Sequence, residues 1–180
     1  MMAMVMVNIV LSRESGERIA LVLNEEPSIK NPQNPIKQVK NGDIEFKNVN
    51  FSYSNNPEIL NLENINLKIN SGQTIGIISG TGSSKSALVQ LIPRLYDVIS
   101  GEVLVSGKDV RNYDIKTLRD NVAMVLQKNV LFSGTIKENL RWGNKNATDS
   151  QIEHVCKLAQ ADEFIQKFPD KYDTYIERGG

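Results

Sequence analysis

Lys85 and Ser86 are the residues whose type and placement most directly imply chemistry in this chain. They follow Ser79-Gly80-Thr81-Gly82-Ser83-Ser84, a turn of small residues. That turn in turn follows Thr74-Ile75-Gly76-Ile77-Ile78, whose apolar run reads as a buried strand. Beyond Ser86, Leu88, Leu91, Ile92 and Leu95 recur at helical spacing. Strand, small-residue loop, Lys-Ser and helix is the layout of a phosphate-holding loop. Small side chains let successive backbone N–H groups curl around phosphate oxygens, and a helix start adds unpaired N–H groups and a positive dipole end. In that layout Lys85 neutralises the β/γ-phosphates and the Ser86 hydroxyl ligates Mg²⁺. The pattern G-x-x-x-x-G-K-[ST] has glycine where this chain has Ser79 and Ser84. Serine still donates its backbone N–H, but a position of positive φ would cost it roughly 1 kcal/mol or more. The alternative is an ordinary Gly/Ser turn between a strand and a helix, and the flanks must decide.

Two flanking residues bear on that choice. Tyr53 lies at the end of an alternating stretch upstream; it is either an edge-strand aromatic or a stacking platform for a base. Gln127 ends the apolar run Val122 to Leu126. At the C-terminal end of a parallel strand its amide oxygen could ligate Mg²⁺ or orient water; otherwise it is a solvated loop glutamine. His154 and Cys156 are two apart on one helix and do not share a face, so they read as a surface imidazole and a core thiol. Trp142 reads as a packing anchor. Asn144-Lys145-Asn146-Ala147 lacks the aspartate that a guanine-specifying loop needs, and no D-x-x-G occurs. After Ser86 no four-residue apolar run is followed by Asp or Glu, the acid that phosphoryl transfer requires to hold Mg²⁺ and place water.

The elements that must position these residues can be read in order. Met1 to Leu11 is apolar but too short for a bilayer span of about 20 residues, and reads as a translation-start artefact, a core helix or the tail of a transmembrane helix; with the polar Ser12 to Arg18 and apolar Ile19 to Leu23 it fits one helix. Asn24 to Gly42, with Pro27, Pro32 and Pro35, reads as a linker, with a domain boundary near Asn41. Ile44 and Phe46 differ in parity from Val49, Phe51 and Tyr53, which predicts a bulge near Lys47-Asn48. Ile65, Leu67 and Ile69 alternate as a second strand, and Glu102 to Val105 forms a third. Ile75 to Ile78 and Val122 to Leu126 read as buried strands. Asp114 caps a short helix; Thr135 to Glu138 and Thr148 to Gln151 fit capping boxes. Ala161 to Phe168 is a further helical piece ended by Pro169.

Across 180 residues the 40% apolar content supports a packed core. Lysine plus arginine balances aspartate plus glutamate at 21 each, which gives no electrostatic case for a nucleic-acid partner. One cysteine rules out an internal disulfide, and a single histidine with no CxxC pair leaves no zinc site.

Together these residues resemble the nucleotide-binding domain of an exporter-type ABC transporter, from about Asp43 to Gly180. Val49-Asn50-Phe51-Ser52-Tyr53 resembles the aromatic loop that stacks adenine. Ser79 to Ser86 resembles Walker A. Leu91 to Asp97 and Ser100 to Val103 resemble the stretches that follow it. Val125-Leu126-Gln127 with Leu131 to Ile136 and Glu138-Asn139 resembles the Q-loop and its exit. Tyr175 to Gly180 resembles the approach to the signature L-S-G-G-Q. The resemblance implies an α/β P-loop NTPase fold, in part: an antiparallel β-subdomain, the first part of a parallel core sheet and part of a helical subdomain. It implies residues 1–23 as the end of the last transmembrane helix and its extension, 24–42 as linker, and 43–180 as the N-terminal part of the nucleotide domain. ATP and Mg²⁺ are the implied cofactors. Tyr53, Ser79, Gly80, Thr81, Gly82, Ser83, Ser84, Lys85, Ser86, Ala87 and Gln127 would hold ATP, with Ser86 and Gln127 on the metal. The partners would be a second nucleotide-binding domain and the transporter's own transmembrane domain, at the cytoplasmic face of the cell membrane. The signature, Walker B, D-loop and switch histidine would lie beyond Gly180, so this stretch alone is expected to bind ATP-Mg²⁺ without hydrolysing it. The rival reading is a non-enzymatic interaction module in which Ser79 and Ser84 impair nucleotide binding.

Overall fold

The computed structural model describes residues 2–80, 82 and 84–177. Met1, Thr81, Ser83 and the stretch Arg178-Gly179-Gly180 lie outside the described residues, and with them two of the expected phosphate-loop positions and the end of the segment likened to the signature approach. The chain forms two compact units, residues 1–123 and 124–180.

The first unit opens with a single helix, α1 (Met2–Leu23), as the sequence suggests. No helix among the described residues is long and apolar enough to cross a membrane. The sheet follows: β1 (Ile44–Phe51), β2 (Leu62–Ile69), β3 (Ser100–Val105) and β4 (Lys108–Asp109), antiparallel in the order β2-β1-β3-β4. The parity change in β1 is a bulge: register with β2 shifts between Phe46 and Val49, and Asn48 takes φ 47°. The extra residue returns Val49 and Phe51 to the face that already holds Phe46, and all three are buried. Gly101 of β3 lies against this bulge at φ +85°; a Cβ there would sit 2.4 Å from the carbonyl oxygens of both Lys47 and Asn48.

Onto that face pack Ala87 and Leu91 of α2 (Lys85–Leu91), Leu118 of α3 (Ile115–Asp120), and Tyr113. The Tyr113 hydroxyl is satisfied on the Val105 carbonyl at 2.8 Å. Asp114 caps α3 by accepting from the Thr117 N–H at 2.8 Å, and that bond, with the Thr117 hydroxyl, holds its carboxyl below the usual carboxylate range. The proline-rich stretch is not merely a spacer. Ile36 forms a parallel bridge with Tyr113, Asn31 bonds Asp114 and the Ile115 N–H, and Ile36 and Val39 pack on the core. Arg94 closes this side: buried, it grips Asp97 through Nε and Nη2 at 2.8 and 3.0 Å.

The second unit has a separate core of Ile136, Ile152, Cys156, Ile165 and Tyr172. β5 (Gly134–Thr135) pairs with β6 (Tyr175–Ile176), and α4 (Ile136–Leu140), α5 (Asp149–Leu158) and α6 (Asp162–Ile165) supply the rest. Both predicted capping boxes form, Thr135 with Glu138 and Thr148 with Gln151. Cys156 is buried and His154 exposed, as their spacing requires. Val155, one turn after the buried Ile152, is exposed.

Three expectations need correction. Ile75 to Ile78 and Val122 to Leu126 form no ladder, and both sheets among the described residues are antiparallel. A strand buried on both faces needs a neighbour on each edge, and neither run finds one among the described residues. Their side chains are correspondingly open: Ile78 is 98% and Val125 92% exposed. Trp142, read as a packing anchor, is a surface residue stacked on Phe132 with ring centroids 4.9 Å apart.

Candidate nucleotide-binding site

The phosphate-loop residues join the body of the first unit through α2. Ala87 and Leu91 fix that helix on the sheet, so its first residues, Lys85 and Ser86, start from a rigid base. The Lys85 ammonium turns back over the loop. It donates to the Ser79 carbonyl at 3.1 Å, the Ser79 hydroxyl at 2.8 Å and the Gly80 carbonyl at 2.9 Å. The lysine and the start of the loop are thereby drawn together. Ser84, immediately before Lys85, has φ 59° and ψ 23°, the left-handed region. Gly82 also has positive φ, whereas Ser79 does not. Of the two serines that replace pattern glycines, only Ser84 occupies backbone that glycine favours. Ser86 is exposed in the first turn of α2 and Ala87 is buried beneath it.

Tyr53 belongs to the same unit and stands just past β1. Its N–H is held by the Asn61 side chain at 3.0 Å. Its ring meets Phe51 edge-on at a centroid distance of 4.8 Å and Tyr96 at 5.1 Å, with interplanar angles of 79° and 85°. Its hydroxyl donates to Gln90 Oε1 on α2 at 3.1 Å. Partial burial, with a smaller contribution from Tyr96, holds the phenol above its ordinary pKa, so it is a neutral donor near pH 7. Tyr53 remains 48% exposed. Gln90 and Tyr96 escaped sequence reasoning. The available signal for Gln90 was one polar residue within Ala87-Leu88-Val89-Gln90-Leu91-Ile92.

Gln127 belongs to the second unit. It is exposed, in a bend rather than at the end of a strand. The residues that could meet a divalent cation, Ser86 and Gln127, offer a hydroxyl and an amide oxygen. No cluster of three or more His, Cys, Asp or Glu residues suited to a metal occurs among the described residues. A neutral hydroxyl such as that of Ser86 suits Mg²⁺, which keeps waters and takes oxygens from a substrate's phosphates.

Comparisons with known proteins bear on the family and the fold. The family described as ABC transporter matches residues 62–177. The chain is 46% identical over 139 residues, 77% of its length, to a Bacillus subtilis (strain 168) protein named "Putative multidrug export ATP-binding/permease protein YgaD". It is 35% identical over 164 residues, 91% of its length, to ABC transporter B family member 6 of Arabidopsis thaliana. The matched parts make up 24% and 11% of those two proteins. Among solved structures, a bacterial Atm1-family ABC exporter with ATP bound superposes with a TM-score of 0.83 and 27% identity, covering 92% of this chain and 28% of that one. The fold class is therefore the α/β P-loop NTPase fold of ABC ATPases, although the two central runs lack ladders here. With that fold, those relatives and a family match across residues 62–177, the chain belongs to the ABC transporter family.

Proposed function

We propose that this chain is the ATP-binding part of an ABC exporter, which couples ATP binding and hydrolysis to transport across a membrane. The carrying observation is Lys85, held on a helix anchored in the core and bonded over the loop that begins at Ser79. Residues 79–86 would hold the phosphates: Ser79, Gly80, Thr81, Gly82, Ser83 and Ser84 through the loop, Lys85 through charge, and Ser86 with Ala87 through the helix start. Tyr53 would stack on the adenine. Ser86 and Gln127 would hold Mg²⁺, which when bound offsets phosphate charge. Residues 1–23 would be the end of the last transmembrane helix and its cytoplasmic extension, 24–42 the linker and 43–180 the N-terminal part of the nucleotide-binding domain. The partners would be a second nucleotide-binding domain and the transporter's transmembrane domain, at the cytoplasmic face of the cell membrane. The absence of an apolar run ending in Asp or Glu after Ser86 supports binding without hydrolysis by these 180 residues.

The left-handed backbone of Ser84 favours a second reading, an interaction module with impaired nucleotide binding. Titration with a fluorescent ATP analogue separates the two. The chain is expected to bind the analogue in the presence of Mg²⁺, and Lys85→Ala to weaken binding at least tenfold, in keeping with loss of a charge-assisted phosphate contact. Equal titrations for the two proteins would discard the ATP-binding reading in favour of the second.

A further inference from the structure

We propose that Gln90 and Tyr96 are positioning residues for the base: they lock the Tyr53 ring in place and tie it to the helix that carries Lys85. The inference rests on the ATP-binding reading and goes beyond it by naming what holds the base platform. A tyrosine at the end of a strand has two free side-chain torsions, and stacking on a base must offset the loss of that freedom. Here the freedom is already restricted from three sides. Phe51, buried in the core, packs T-shaped against the ring with centroids 4.8 Å apart. Tyr96, beyond the end of α2, meets it at 5.1 Å and 85°. Gln90 accepts the hydroxyl proton at 3.1 Å.

The consequence follows from which helix bears Gln90. It lies five residues after Lys85, so at about 1.5 Å of rise per residue the two are separated by roughly 7.5 Å along α2. α2 is itself immobilised by Ala87 and Leu91 in the core. The hydrogen bond thus sets the ring's reach relative to the phosphate-binding lysine through one short rigid element. A ligand that carries both a base and a polyphosphate benefits from that fixed spacing; a polyphosphate without a base does not. The residues therefore act on affinity for the base-bearing ligand, through Tyr53, and not on the phosphate contacts.

The test uses the full chain and compares ATP with inorganic tripolyphosphate by calorimetry. Gln90→Met keeps side-chain length and helix propensity while deleting the acceptor. It is expected to weaken ATP binding about three- to tenfold, the range for one neutral hydrogen bond, and to leave tripolyphosphate within twofold. Tyr53→Phe should weaken ATP similarly, and the Tyr53→Phe/Gln90→Met double variant should be no weaker than either single one. Tyr96→Leu, which removes the other brace, should show the same ATP-selective loss. Unchanged ATP affinity in Gln90→Met, equal losses for both ligands, or additive losses in the double variant would overturn the proposal while leaving ATP binding intact. A parent chain that binds tripolyphosphate as tightly as ATP would overturn it at the level of the base platform. A parent chain that binds neither would overturn the ATP-binding reading and this inference together.

Discussion

At the scale of single residues, the phosphate loop turns on Ser84. The motif pattern puts glycine at both position 79 and position 84, and sequence alone could not say which serine matters. The backbone decides: Ser84 has φ 59° and Ser79 is not among the residues of positive φ. A Cβ in the left-handed region costs about 1–2 kcal/mol. Glycine would relieve that cost but lose more chain entropy on folding, which offsets part of the gain. Ser84→Gly is therefore expected to raise unfolding stability by about 0.5–1 kcal/mol, net of that offset. Urea unfolding followed by circular dichroism reads this as a higher midpoint at unchanged slope. A lower midpoint would mean that the Ser84 side chain contributes more in the folded loop than its backbone conformation costs. The Tyr53–Gln90 bond belongs to this scale too, and 37 residues of separation hid it from any reading of local pattern.

Elements divide according to how local their causes are. The caps of α3, α4 and α5 were legible because each is written in four consecutive residues and satisfied by them. The β1 bulge was legible because apolar parity changes within a single strand. Its partner was not. Gly101 lies about fifty positions away in sequence, yet the bulge closes only because no Cβ stands between it and the Lys47 and Asn48 carbonyls. Gly101→Ala combines overpacking against two backbone oxygens with a left-handed φ, each a cost of about 1–3 kcal/mol. The first unit is expected to lose several kcal/mol, seen as a thermal midpoint lower by about 10 °C or more. A midpoint within 2 °C of the parent would show that the bulge opens without penalty. The runs 75–78 and 122–126 were misread for the converse reason. Apolarity specifies burial, but ladder formation depends on neighbouring strands that a run cannot encode in itself.

Each unit carries its own core and an exposed apolar run that this core does not cover. Ile75, Ile77 and Ile78 in the first unit, and Val125, Leu126, Val130 and Phe132 in the second, are exposed and lie in segments without strand pairing. Extended apolar segments with unpaired backbone groups are templates for pairing with another chain. The charge balance works in the same direction, because equal numbers of basic and acidic residues leave no net repulsion near neutral pH. The isolated chain is therefore expected to self-associate, with a light-scattering mass that rises with protein concentration. If apolar exposure is the cause, a charge in each run should reverse it. Ile78→Lys and Val125→Lys replace side chains that are 98% and 92% exposed, so neither substitution opens a cavity in a core. The double variant is expected to stay nearer monomeric mass at concentrations where the parent associates, with an unchanged circular dichroism spectrum. Equal association of parent and variant would move the cause to other surface. A parent chain that stays monomeric throughout would remove the premise, because these runs would then be exposed without driving contact between chains.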